Sequence, residues 1–153
     1  MISDTLGLFS KAAPLADCLQ ELLGDVVAFY YQAHAAHWNL TGIEFSQYHE
    51  KFEEVYEDVF GSIDPLAENI RKLGAFPASD LRDLKISVPS STSSREAVAL
   101  IKALLASNDD VLSCIGRCLK AAAKDNQQGI LNFLAERQDM HQKWKWQLGA
   151  ALG

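Results

Sequence analysis

Apolar residues recur every three or four positions in four separate stretches of this chain, and no segment between turn signals alternates apolar with polar residues. The first spacing gives a helix one buried stripe, and the missing alternation leaves no candidate for a half-buried strand. The first predicted helix covers residues 14–39, with Pro14 in its first turn. Leu15, Leu19, Leu22, Val26, Phe29 and Ala33 form its stripe, which continues into His37 and stops at Asn39-Leu40-Thr41-Gly42. The second covers 44–73 and ends at Gly74, a residue type suited to a helix C-terminus. A linker at 75–93 contains Pro77, Pro89 and a serine-threonine run, with room for a short helix at 79–84. The third helix is expected at 94–125, starting from Ser94 as N-cap, with Leu100, Ile101, Leu104, Val111, Leu112, Ile115 and Leu119 inward. The fourth is expected at 127–148, with Ile130, Leu134, His141, Trp144 and Leu148 on one side. Two long helices, a long connection and two more describe an all-α four-helix bundle with a crossover carrying a short helix. At 153 residues, 1–153 is expected to be a single domain.

Charge narrows the function. Twenty acids against 14 bases give a net charge of −6, which argues against a surface that wraps nucleic acid. Eight of the 20 acids fall in the second helix and its approach: Glu44, Glu50, Glu53, Glu54, Glu57, Asp58, Asp64 and Glu68. Carboxylates that crowded must be solvated, protonated or neutralised by cations. No run of eighteen apolar residues suggests a membrane span, and the N-terminal MISDTLGLFSKAAP does not read as a secretory leader. A cytoplasmic protein is therefore expected. Three cysteines without a CxxC pair suit buried, reduced thiols. Cys114 and Cys118, four apart on one helix, are a conceivable soft-metal pair, but small core residues are the plainer reading.

The residues with the most chemistry are His37, His49, Glu53, Asp64 and Glu68. His37 ends the first helix and His49 lies early in the second, so a tight turn brings both imidazoles to one end of the hairpin. Glu53, Glu57, Asp64 and Glu68 share one face of the second helix, since eleven residues at 100° each drift only ~20°. Like charges at this spacing repel. Iron, manganese or zinc would remove the penalty, because carboxylate oxygens and imidazole nitrogens suit such ions. A solvated acidic face is the competing explanation. His49 and Asp64 stand fifteen residues apart, or ~22 Å along an unbroken helix. They cannot hold one ion within one chain. An antiparallel pair of second helices about a two-fold axis would bring His49 of one copy to Asp64 and Glu68 of another, twice per dimer.

Residues 34–77, HAAHWNLTGIEFSQYHEKFEEVYEDVFGSIDPLAENIRKLGAFP, resemble the Dps family of the ferritin-like superfamily, the DNA-binding proteins from starved cells, or miniferritins. The resemblance rests on His37-Trp38-Asn39, Gly42, Phe45, His49-Glu50, Asp64-Pro65-Leu66-Ala67-Glu68 and Leu73-Gly74, all in register. It implies a ferritin-like fold, a hollow dodecameric homo-oligomer and ferroxidase sites at two-fold interfaces. His37 and His49 would come from one subunit and Asp64 and Glu68 from its partner. Glu53 would bridge or hold a second iron, and Trp38 would lie beside the centre, either as an electron donor or as interface packing. Fe(II) would be oxidised there, preferentially by hydrogen peroxide rather than oxygen, and stored as ferric mineral. Glu50 and Glu54 would be mineral nucleation sites or simply solvated. Other divalent metals such as Zn or Mn would also suit the donor set. The Glu-x-x-His motif of intrasubunit di-iron bundles is absent from the sequence, which agrees with an intersubunit site.

Two departures modify this picture. The family's DNA binding depends on a basic tail, but the first 30 residues hold one basic residue, Lys11. Weak or absent DNA binding is expected, against the alternative of a nucleoid-type protective protein with a secondary iron site. The region matching the family's acidic pore, KDNQQGIL, has one clear acid, Asp125. His34 is open to a packing role or a metal-related one, His141 is expected to be structural, and Trp144 and Trp146 to anchor packing or subunit contacts.

Overall fold

In the computed structural model, which describes residues 3–153 and their side chains from Pro14 onward, four helices follow in order. They are α1 (Ser3–Asn39), α2 (Phe45–Lys72), α3 (Ala97–Lys124) and α4 (Gln128–Ala150), with a single 3-10 turn at Leu81–Asp83 in the crossover. There is no strand among the described residues. The question of a leader touches Met1, Ile2 and the side chain of Lys11, which lie outside the described residues.

Helix α1 begins before Pro14, so this proline is internal and not in the first turn. A proline removes one backbone hydrogen bond and crowds one carbonyl, a cost a long helix can absorb. Pro65 is likewise accommodated inside α2, which stays continuous from Phe45 to Lys72. At the end of α2 the Gly74 amide donates to the Arg71 carbonyl and the Ala75 amide to that of Ile70. Gly74 takes φ +82°, which completes a Schellman motif. Helix α3 ends the same way: Asn126, at φ 54°, donates to Ala123 and Gln127 to Ala122. Its start falls three residues after Ser94. The Ser94 amide donates to Thr92 Oγ1 and the Glu96 amide to Ser94 Oγ. The serine run thus spends its hydroxyls on local turns ahead of the helix, and Ser94 caps none of its amides.

The crossover runs along α1. Gln20 donates to the Phe76 carbonyl, Gln32 to that of Pro89, and the Thr41 amide to that of Arg95. From Gln20 to Thr41 this is ~30 Å of helix, so the connection is long because it must return α3 to the end where α2 began. Two α1 residues hold its middle. A Cβ at Gly24 would lie 2.1 Å from the Lys85 carbonyl oxygen, so only glycine admits the strand of chain here. Asp25, fully buried, accepts from the Ser87 amide at 2.6 Å, the Ser87 hydroxyl at 2.7 Å and the Val88 amide at 3.2 Å. The core between the helices includes Leu15, Leu19, Leu22, Phe29, Phe52, Val55, Ile115 and Leu134.

Candidate metal centre

The turn between α1 and α2 sets the geometry. Gly42 adopts φ +116°, a conformation that favours glycine, and its carbonyl accepts from the Phe45 amide at the start of α2. This sharp reversal places His37 and His49 face to face, ring centroids 3.6 Å apart and 20° from parallel. Each imidazole is held by the other's backbone: His37 Nδ1 lies 2.7 Å from the His49 carbonyl oxygen, and His49 Nδ1 lies 2.9 Å from that of His37. A carbonyl only accepts, so both Nδ1 atoms carry the proton. This tautomer leaves Nε2 as the nitrogen available to a metal, and the ring orientation is locked in the way outer-sphere hydrogen bonds fix metal-binding histidines. Phe45 stacks on the far side of His49 at 4.7 Å.

His34 sits in an aromatic slot one turn earlier. It stacks on Tyr56 at 3.9 Å, lies 4.0 Å from the Trp38 ring, and pairs through Nδ1 with the Tyr30 hydroxyl at 3.0 Å. Desolvation by these neighbours, reinforced by nearby His37, lowers its pKa below the ordinary histidine value, while Glu53 opposes the shift. Tyr56, edge-on to His37 at 5.2 Å, has its phenol pKa raised, first by desolvation and then by Glu53 and Glu57. Tyr30 and Tyr56 belong to this site's surroundings, although nothing in their spacing separates them from ordinary core aromatics. Trp38 is 54% exposed.

Asp64 and Glu68 are exposed on α2. Because α2 is unbroken, the ~22 Å separation from His49 stands. The chain brings His37 and His49 together, but it does not bring Asp64 and Glu68 to them. Glu53 is half-buried near His34 and Tyr56, and Glu50 and Glu54 are exposed. Among the described residues, the one group of three or more metal-ligating side chains with ligand atoms within 4.8 Å of one another is Cys18, Cys114 and Cys118.

One acid of the α2 cluster has a different purpose. Asp58 accepts from both terminal nitrogens of Arg137 at 3.0 and 2.8 Å, and from the Trp144 indole at 2.8 Å, joining α2 to α4. Burial alone would raise its pKa, but these hydrogen bonds outweigh burial and hold the carboxyl below its usual range. Trp144 is thereby a packing anchor, whereas Trp146 is exposed. His141 is fully buried, with Nδ1 2.7 Å from the Asn108 side-chain oxygen, and serves the core.

The ferritin-like domain family matches residues 16–153. An uncharacterized protein of Haemophilus influenzae is 31% identical over 143 residues, covering 92% of this chain and 89% of that protein. A DNA protection during starvation protein of Brevibacillus brevis is 26% identical over 140 residues, covering 90% of this chain and 94% of that protein. Among solved structures, the Dps protein of Vibrio cholerae superposes with a TM-score of 0.90 at 28% identity, over 95% of this chain and 92% of that one. That protein is described as one of a broad superfamily of ferritin-like diiron-carboxylate proteins. A Dps protein from Bacillus brevis gives a TM-score of 0.89 at 26% identity, over 94% and 98% of the two chains. No helix among the described residues is long and apolar enough to cross a membrane. Four helices with a long crossover, a locked histidine pair at the first turn and these matches together place the chain in the ferritin-like family, among its Dps proteins.

Proposed function

We propose that this chain is a ferroxidase and iron-storage subunit whose metal sites form between two copies. The observation that carries this reading is the reciprocal Nδ1–carbonyl lock of His37 and His49, which leaves two nitrogen donors aligned with no third ligating side chain grouped with them among the described residues. Asp64 and Glu68 are the matching half: exposed acids on α2, without the histidines they would need. An antiparallel pairing of α2 helices joins the halves and makes two equal sites per dimer. Exposed Tyr31, Trp38, Ile43, Phe45 and Phe60 on α1, α2 and their turn offer the apolar area such a pairing would cover.

In this reading His37 and His49 bind Fe(II) through Nε2, Asp64 and Glu68 of the second copy bind it through oxygen, and Glu53 serves a second iron. Carboxylates favour the ferric product by charge, and imidazoles suit the ferrous ion. Each Fe(II) gives up one electron, and one hydrogen peroxide accepts two as its O–O bond breaks. Trp38 and Tyr56, on either side of His34, lie close enough to supply an electron when iron delivers only one. Twelve copies closing into a cytoplasmic shell would store the ferric mineral, with Glu50 and Glu54 as nucleation points. With a net charge of −6, the chain binds DNA weakly or not at all.

The test is Fe(II) oxidation by peroxide, followed by ferric absorbance, on wild type, His37→Ala and Asp64→Ala. Each variant is expected to slow the reaction by about 100-fold or more, since loss of even an outer-sphere partner of a metal ligand costs about 10–100-fold. Wild-type rates in both variants would refute the assignment.

A further inference from the structure

We infer that Cys18, Cys114 and Cys118 form a second metal site, selective for a soft monovalent ion, Cu(I), and separate from the histidine-carboxylate centre. Cys18 lies on α1, and Cys114 and Cys118 lie one turn apart on the facing side of α3. Their sulfurs are all within 4.8 Å of one another, and the Cys114 thiol points at the Cys18 carbonyl oxygen, 4.0 Å away. A trigonal thiolate site with ~2.3 Å metal–sulfur bonds needs sulfurs ~4.0 Å apart, so less than an ångström of contraction closes the site. All three thiols are free, Cys114 and Cys118 fully buried and Cys18 half-buried, which leaves one edge for an ion to approach.

The donor set selects the metal. Thiolates favour soft ions over iron, manganese or magnesium. Structural zinc is almost always four-coordinate, and no histidine or carboxylate joins the three sulfurs among the described residues. A d10 monovalent ion is satisfied by three sulfurs. Arg117, between the two α3 cysteines in sequence and ion-paired to Glu21 at 3.6 Å, offsets the negative charge that thiolates leave around such an ion. The bound ion would also tie α1 to α3, adding a cross-link that the unfolded chain lacks.

The assembled full-length protein, reduced and anaerobic, would be titrated with Cu(I) buffered by bicinchoninate. One Cu(I) per chain should leave the chelator, and copper-edge X-ray absorption should show a sulfur-only shell of three atoms. Cys18→Ser, at the accessible edge, should weaken binding by about tenfold or more with unchanged circular dichroism. Cys118→Ala should do the same, and one equivalent of Cu(I) should raise the melting temperature of wild type more than that of either variant. A shell of nitrogen and oxygen in wild type would overturn the proposal. So would undiminished affinity in both variants, or displacement of Cu(I) by equimolar Zn(II).

Discussion

At the scale of single residues, two histidines with similar burial illustrate opposite uses of the ring. His37 spends Nδ1 on a backbone carbonyl and keeps Nε2 at the surface of the hairpin, where an ion can reach it. His141 spends Nδ1 on Asn108, and its Nε2 is buried without a partner. Burial pushes the pKa of His141 down to about 3, aided by Arg137 and opposed by Asp58. The folded state therefore refuses a proton that the unfolded chain accepts below 6.5. The associated stability is fully present above pH 6.5 and is lost as pH falls toward 3, amounting to several kcal/mol on an order-of-magnitude basis. Urea unfolding at a series of pH values should show this loss in wild type. His141→Gln should flatten the curve between pH 6 and pH 4, where the stabilising charge on Asp58 is still largely retained and adds little slope.

At the scale of elements, the crossover is the least predictable part of the chain and one of the most specifically held. Its docking depends on Gly24 and Asp25, an adjacent pair in the middle of a helix whose stripe conceals them. Neither residue breaks the helical pattern, so nothing in the spacing shows that chain will pass within van der Waals distance of one and donate three hydrogen bonds to the other. Gly24→Ala ordinarily strengthens a helix, by up to ~1 kcal/mol. Here the new methyl group meets the Lys85 carbonyl, and overpacking of this kind costs about 1–3 kcal/mol. Thermal melting should thus show destabilisation, and hydrogen exchange should quicken around residues 85–88. The serine run behaves in the opposite way. It was legible as turn chemistry, but which hydroxyl caps what depended on where α3 begins, and it begins at the buried Ala97, three residues beyond Ser94.

At the scale of the whole molecule, the acidic excess divides into parts with different purposes. Asp58 is consumed by Arg137 and Trp144, Asp64 and Glu68 stay exposed, and Glu53 remains near the histidines. Sites shared between copies have a consequence that sites within one chain lack. Unfolding a mixture of His37→Ala and Asp64→Ala chains and reassembling it would pair unlike chains in about half the dimers. Each mixed dimer keeps one intact site, so about a quarter of wild-type ferroxidase activity should return from two inactive parents. A mixture as inactive as its parents would show that each site is built within one chain. In a gel shift at low salt the assembled protein should leave duplex DNA unretarded, because a net charge of −6 per chain gives phosphates little to bind.

The helices, their number and the tight α1–α2 reversal were determined by the sequence, because apolar period, glycine and turn residues act over short stretches of chain. The in-register histidines and acids were equally legible, and arithmetic along one helix already separated His49 from Asp64. What only the tertiary structure decided were contacts between residues distant in the chain. It showed that His37 and His49 lock each other through Nδ1, that His34 lies between Tyr56 and Trp38, that Asp58 belongs to α4, and that Cys18 joins the Cys114–Cys118 pair. Each depends on how two helices are rotated about their axes, and packing across the bundle sets that rotation while no local pattern records it.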